Sequence, residues 1–288
     1  MVRSSFNYTE RLRRIMKCAE NEATCSKHKI LLPGHLLLAC LHERTGAFGE
    51  LWLRCNFNRD AIKARIEVKE RQFDEVIKTS QFFQVAVIAD VEKAMIGSIE
   101  LMKRYNQIYL NEGHMLKSLI TSNLLNQYLS EEDRSTILNV ATTARDMITH
   151  LGHYQFPQLN SRQIRRVRHE DKKELITFVE TYFSKEWSDT IATAFSSQEP
   201  SVYVAVDSAQ ELIGFAAFDV YMNRKGYFGP MGVKQTKRAK GIGYSLLHHC
   251  LREMHEIGYE YAIIGGAGPM EFYEKACHAA VIPLDCYK

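Results

Sequence analysis

The stretch Arg238-Ala239-Lys240-Gly241-Ile242-Gly243-Tyr244 decides how the second half of this chain is interpreted. It lies between an apolar, strand-like run over residues 227–233 and an amphipathic, helix-like run over residues 244–257. A strand that passes through two glycines into a helix offers several unpaired backbone N–H groups and the positive end of a helix dipole to one anion. The pattern therefore predicts a phosphate-binding turn, to which the Arg and Lys side chains add positive charge.

The elements predicted around this turn set the fold class. In chain order they are a strand at 163–167, helices at 170–183 and 187–195, strands at 202–206, 212–220 and 227–233, the Gly-x-Gly helix, a strand at 261–264, a helix at 270–276 and a strand at 280–284. This order predicts an α+β domain with a mixed central sheet over residues 160–288. A Rossmann dinucleotide turn is excluded, because its third glycine is absent and residues 234–240 separate the strand from the first glycine.

The order strand, basic segment, Gly-Ile-Gly, amphipathic helix, strand and aromatic helix resembles the GNAT superfamily of N-acetyltransferases over about residues 163–288. The family's Arg/Gln-x-x-Gly-x-Gly/Ala motif is present as Arg238-x-x-Gly241-x-Gly243. The resemblance implies that the domain binds acetyl-CoA as a co-substrate, and no metal is expected. The residues that it assigns to acetyl-CoA are Met231 and Val233 beside the pantetheine arm, Arg238, Ala239, Lys240, Gly241, Ile242, Gly243 and Tyr244 around the pyrophosphate, and Phe272.

The segment Phe272-Tyr273-Glu274-Lys275 looks like the Tyr-Glu-Lys segment of the same superfamily. The resemblance implies that Tyr273 lies beside the thioester sulfur, where a phenol can protonate the leaving thiolate. The alternative is that Tyr273 only packs against the sheet.

The general base is harder to assign from the residues. A free alkyl amine, with a pKa of about 10.4, is mostly protonated at neutral pH, yet residues 220–252 contain no Asp or Glu. Asp219, Glu186, Asp189 or an ordered water are the candidates left open. Glu186, Trp187 and Asp219 are predicted to line the acceptor cleft, although Trp187 could equally be a core residue.

The chain departs from the superfamily pattern in two places. His278 stands where relatives usually have glycine, which makes a left-handed backbone less comfortable there. The residues after the Tyr-Glu-Lys segment also leave room for one terminal strand and not for the usual pair. Either the sheet is shortened, or a second subunit covers its exposed edge and the protein is a homodimer.

The first half, residues 1–150, is predicted to be an all-helical domain of two pseudo-repeats. Pro33-Gly34-His35-Leu36-Leu37 is echoed 79 residues later by Glu112-Gly113-His114-Met115-Leu116, and Met16 and Met95 also correspond. Both histidines lie at predicted helix starts without Cys or carboxylate neighbours at ligand spacing, which favours helix capping or packing over a metal site.

This half resembles the repeat domain at the N-terminus of Clp-type AAA+ unfoldases. The residues that carry the resemblance are Tyr8-Thr9-Glu10-Arg11-Leu12 with Ala19 and Ala23, followed by His35-Leu36-Leu37-Leu38. The resemblance implies a module that docks a protein partner. No Gly-x-x-x-x-Gly-Lys-Ser/Thr segment is present, so an ATPase is not expected. The alternative is that the module only dimerises or solubilises its neighbour.

Composition narrows the class of protein. The net charge is +3 and charges alternate in sign, as in residues 170–174, which argues against a nucleic-acid binder. Seven cysteines without a Cys-x-x-Cys pair favour reduced thiols. Residues 1–8 lack the apolar core of a signal peptide, and no apolar run approaches the roughly 20 residues of a membrane helix. A cytoplasmic protein that does not bind membranes is predicted.

The sequence supports three hypotheses of function. The leading one is an acetyl-CoA-dependent N-acetyltransferase that modifies a primary amine, with an N-terminal module that selects or presents the acceptor. The second is a non-catalytic acyl-CoA sensor or protein-docking module, which the missing carboxylate supports. The third is a small-molecule acetylase that acts on an amino sugar, a polyamine or a drug.

Overall fold

The computed structural model describes residues 6–69, 76–77, 79–159, 163–238 and 241–285. It divides into two compact units: residues 1–144 together with 283–288, and residues 145–282. Among the described helices, none combines the length and the apolar character needed to cross a bilayer.

The first unit is helical and repeats itself. Its helices are α1 (Glu10–Cys25), α2 (Pro33–His42), α3 (Ala47–Arg54), α4 (Arg59–Lys69), α5 (Ala89–Arg104), α6 (Glu112–Thr121) and α7 (Glu131–Ala141). The bounds of α5 and α6 are those of α1 and α2 shifted by 79 residues, which confirms the predicted repeat. A small sheet that was not predicted, β1 (Ile30–Leu31), β3 (Ala86–Ile88) and β2 (Val76–Ile77), joins the two copies.

Both repeat histidines cap their helices, as predicted. His35 Nδ1 accepts a hydrogen bond from the Leu32 N–H at 3.0 Å, and His114 Nδ1 accepts one from the Asn111 N–H at 3.2 Å. Each imidazole is buried. The two histidines therefore have the same helix-capping role in the two copies.

The second unit is a seven-stranded mixed sheet between two pairs of helices, which confirms the predicted fold class. Its strands are β4 (Arg145–His150), β5 (Ile164–Arg166), β6 (Val202–Val206), β7 (Leu212–Phe218), β8 (Tyr227–Val233), β9 (Tyr261–Ala267) and β10 (Ala280–Val281), and its helices are α8 (Lys172–Tyr182), α9 (Lys185–Ala194), α10 (Ile242–Ile257) and α11 (Met270–Cys277). The strand order is β10-β4-β9-β8-β7-β6-β5, and only β8 and β9 are parallel.

Alternation along the strands builds a core on each face of the sheet. Phe228 packs with α10 residues such as Leu247 and Leu251 on one face. Phe215 packs with α8 and α9 residues such as Phe178 and Ile191 on the other face.

Strand β4 was not predicted, and it completes the sheet from within the chain. It lies between β9 and β10 and runs antiparallel to both. Two of its three inward residues, Arg145 and Thr149, are polar, whereas the outward set includes Ile148. This inverts the hydrophobic alternation that marks a half-buried strand. Since β4 supplies the second terminal strand, the sheet is not shortened, and the homodimer stays a prediction.

Candidate active site

The turn before α10 has the geometry of an anion-binding helix start. Gly241 is the N-cap residue, with φ +76° and ψ 0°, and a Cβ added there would have no other group within 4 Å. The positive φ, and not a lack of space, is what favours glycine at this position. Ala239 and Lys240 lie outside the described residues, so their predicted contacts are not placed.

The other motif residues divide between core and surface. The Ile242 side chain is buried in the core, so only its backbone faces the turn, whereas Tyr244 is 37% exposed. Arg238 Nε donates to the Val233 carbonyl at 2.9 Å, and burial lowers the pKa of the guanidinium. Arg238 therefore ties the turn to the end of β8.

Strand β8 separates from β9 after its second residue. The two strands pair only at Tyr227 with Ile263 and at Phe228 with Ile264. On the opposite edge β8 stays paired with β7 as far as Val233. Among the described residues no strand occupies the β9 side of β8 after Phe228, so backbone groups there are available to an extended ligand. We call this place the β8–β9 fork.

Three predicted elements converge beside the fork. A Cβ added at Gly243 would lie 3.7 Å from Val233 Cγ2 and 4.0 Å from both Met231 Cε and Phe272 Cζ. The absent side chain of Gly243 therefore opens a space bounded by β8, α10 and α11. The structure brings these four predicted residues together.

Tyr273 lies next to this space. Its ring is 6.4 Å from the Phe228 ring and 4.9 Å from the Phe272 ring, both in edge-to-face geometry. Burial, followed by the Cys277 thiol, raises the pKa of Tyr273, so the phenol is protonated at neutral pH. Within the described residues its hydroxyl has no hydrogen-bond partner. His278, which ends α11, has φ +55°: the left-handed backbone is present although the residue is not glycine.

The predicted cleft residues are distributed differently. Trp187 stacks on Phe183 with ring centres 5.7 Å apart and meets Phe215 edge-on at 6.2 Å, so it is part of an aromatic cluster against the sheet. Phe183 was not predicted, and it reaches the fork: a Cβ at Gly232 would lie 2.4 Å from its ring. Glu186 is exposed in the first turn of α9.

Asp219 stabilises the connection between β7 and β8. Its carboxylate accepts hydrogen bonds from the Gly226 N–H and from the Tyr259 hydroxyl, each at 2.7 Å, and Lys225 Nζ lies 3.5 Å away. These contacts give the side chain a structural role in the turn. Asp189, a further carboxylate considered as a base besides Asp219 and Glu186, pairs with Lys185 on the surface of α9.

Comparison with known families agrees with this architecture. Residues 7–132 match the Clp repeat (R) N-terminal domain, and residues 166–279 match the acetyltransferase (GNAT) family. The chain joins a Clp repeat domain to a GNAT domain. No curated protein matches it in sequence. The GNAT match runs from the last residue of β5 to just beyond the end of α11, so β4 lies outside the matched segment.

Solved structures similar to the chain are distant. One is a glucosamine N-acetyltransferase region of a fungal multi-domain GH3 β-N-acetylglucosaminidase (16% identity, TM-score 0.42, 54% of this chain and 22% of that one). Another is a GCN5-related N-acetyltransferase from Sphaerobacter thermophilus (18%, 0.40, 53% and 54%). A third is a GNAT acetyltransferase from Brucella melitensis in complex with acetyl-CoA (17%, 0.33, 43% and 89%). The chain spans about a fifth of the length of the first of these proteins and about half of the length of the second. TM-scores this low support no functional conclusion.

Proposed function

We propose that this protein transfers the acetyl group of acetyl-CoA to a primary amine. The observation that carries the proposal is the convergence of Gly243, Met231, Val233 and Phe272 beside the β8–β9 fork. The fork offers free strand edges to an extended pantetheine arm, and the turn at Gly241 offers backbone N–H groups to a pyrophosphate. The residues present therefore fit acetyl-CoA.

Acetyl-CoA supplies the activated acyl group. The protein orients that group, and its side chains take a proton from the amine and give one to the leaving sulfur. The amine must be neutral before its nitrogen can bond to the carbonyl carbon, and the sulfur takes a proton as the C–S bond breaks. Tyr273 is the proposed donor of that proton, because its phenol is protonated and buried beside Phe272. Water then returns a proton to Tyr273.

The Clp repeat unit suggests that the acceptor is a protein. Since the family resemblance implies protein docking, a protein is the first acceptor to be sought, with small amines second. The cytoplasmic location remains a prediction.

Acetyl transfer to amines of three classes tests the function. The intact protein is incubated with acetyl-CoA and either a lysine-containing peptide, glucosamine or spermidine, and the products are analysed by mass spectrometry. We expect the mass of one acetyl group to be added to at least one amine, and no addition with Gly241→Glu. Tight binding of acetyl-CoA without transfer to any amine would favour the acyl-CoA sensor instead.

A further inference from the structure

The β8–β9 fork has a second face, opposite to Tyr273. Tyr227 and Phe228 are the β8 residues paired with β9, and neighbouring side chains of a strand point to opposite faces. Because Phe228 faces Tyr273, Tyr227 lies on the other face. Its phenol crosses β9 at Gly265, the first β9 residue beyond the paired segment, where a Cβ would lie 2.3 Å from the Tyr227 oxygen. The Tyr227 hydroxyl is therefore located where the strands separate.

A carboxylate from β4 holds this hydroxyl. Tyr227 Oη donates to Asp146, with its two carboxylate oxygens at 3.2 and 3.3 Å, and the Gly266 N–H donates to Asp146 Oδ1 at 2.8 Å. Asp146 stands opposite two β9 residues, Gly265 and Gly266, because the register shifts between Arg145 and Met147. Such bulges re-aim side chains and are frequent beside active sites.

The surroundings keep the phenol protonated and the pair partly accessible. Burial, followed by the Asp146 charge, raises the pKa of Tyr227 to about 12. The Tyr221 ring stacks on Tyr227 at 5.5 Å, and the Arg224 guanidinium lies 5.8 Å from the same ring. Asp146 itself is half-buried. A phenol that donates to a carboxylate can take a proton on its oxygen while it passes its own proton on.

We propose that Asp146 and Tyr227 form the base that deprotonates an alkylammonium acceptor, so that the unmatched strand β4 supplies the carboxylate missing from β8. The inference rests on the proposed function and deepens it. A carboxylate at the fork also attracts a cationic amine to the face opposite Tyr273, which places the acceptor and the leaving sulfur on opposite faces of the sheet.

The proposed step conserves atoms and charge. The ammonium gives one proton to Tyr227 Oη while the phenol proton moves to an Asp146 oxygen, which leaves a neutral amine and a carboxylic acid. The amine nitrogen bonds to the thioester carbonyl carbon, the C–S bond breaks, and Tyr273 protonates the sulfur. The second nitrogen proton and the Asp146 proton go to water, and water reprotonates Tyr273. One proton is released for each acetyl group transferred.

Two nucleophiles with different protonation states test the assignment in the full chain. Butylamine is protonated near pH 7.5 and needs a base, whereas hydroxylamine is mostly neutral and does not. Asp146→Asn should lower kcat/KM with butylamine by about 100-fold, in the range of a lost general base, and with hydroxylamine by less than about threefold. Tyr227→Phe, which keeps the ring against Gly265, should lower only the butylamine value, by about tenfold.

Asp219→Asn is the matched control, because Asp219 likewise accepts one tyrosine hydroxyl and one glycine N–H. Any loss in this variant should be equal for both nucleophiles. Equal losses in Asp146→Asn and Tyr227→Phe would overturn the assignment and leave the pair with a structural role. Should Asp146→Asn fail to fold, Tyr227→Phe decides alone. Transfer to neither nucleophile by the wild-type protein would overturn the base, and the proposed function falls with it if the lysine peptide, glucosamine and spermidine also stay unmodified.

Discussion

The two faces of the β8–β9 fork differ in the chemical groups that they present and in where those groups come from in the chain. The face toward α10 and α11 consists of backbone, a glycine, apolar side chains and the Tyr273 phenol, all within residues 228–273. The opposite face presents Phe183, Tyr227 and Asp146, which come from a helix connection and from two strands. Backbone contacts suit a co-substrate whose phosphates and amide groups never vary. Side chains suit an acceptor, because they can be exchanged without changing the fold.

The largest expected effect is at the turn before α10, where the pyrophosphate of acetyl-CoA is proposed to bind. Gly241→Glu places a carboxylate at the predicted phosphate position and a side chain at φ +76°. We expect acetyl-CoA affinity to fall by about 1000-fold or more, since an anion then faces an anion. Calorimetric titration measures it.

Gly258→Glu is the control for this substitution. Gly258 ends the same helix with φ +108°, and a Cβ there also meets no other group within 4 Å. The affinity of this variant should match that of the wild-type protein. A similar loss in both variants would mean that backbone strain, and not the phosphate site, explains the effect.

Tyr273→Phe should distinguish the role of the Tyr273 face from that of the Asp146 face. Loss of the phenol should lower kcat by about 10- to 100-fold for butylamine and hydroxylamine alike, because both reactions release the same thiolate. Acetyl-CoA affinity should change little. If affinity and turnover fall together, Tyr273 has a packing role.

The sequence predicted one face of the fork far better than the other. The face toward α10 and α11, where acetyl-CoA is proposed to bind, lies in a contiguous segment whose glycines and basic residues form a recognisable pattern, and the structure brings Met231, Val233, Gly243 and Phe272 together. The opposite face, proposed to serve the acceptor, is formed by residues that only the strand order brings together. Asp146 and Tyr227 are 81 residues apart, and nothing in spacing or periodicity links them until β4 inserts beside β9.

The missed strand shows the physical reason. Hydrophobic alternation marks a strand only when the inward residues are apolar, and β4 buries Arg145 and Thr149 instead. Chain position alone likewise does not show how a carboxylate is held: Asp219 accepts hydrogen bonds from Gly226 and Tyr259 in the β7–β8 turn, and its place in the acceptor cleft stays a prediction.

The smallest expected effect is on stability and lies in the helical unit, outside both faces of the fork. A substitution there should leave acetyl transfer unchanged, so it serves as a reference for the effects at the fork. Burial, and to a smaller extent the positive charge of Lys117, lower the pKa of His114 to about 4. The folded state therefore keeps this imidazole neutral. Since an unfolded histidine binds a proton below about pH 6.5, this stability is present above pH 6.5 and is lost as the pH falls toward 4. His114→Gln keeps an acceptor for the Asn111 N–H without titrating.

Urea unfolding at pH 7 and pH 5 measures this effect. The wild-type protein should lose about 1–2 kcal/mol more than His114→Gln between the two values. Transfer to both nucleophiles at pH 7.5 should stay unchanged in this variant. Parallel losses of stability would show that His114 does not titrate in this range.

The most direct test of the two-faced fork is calorimetric titration of Asp146→Asn with acetyl-CoA beside the wild-type protein. If one face holds the co-substrate and the other serves the acceptor, both proteins should bind acetyl-CoA with the same dissociation constant, although the variant has lost butylamine transfer. Binding that disappears with Asp146, or no binding by the wild-type protein, would contradict the account.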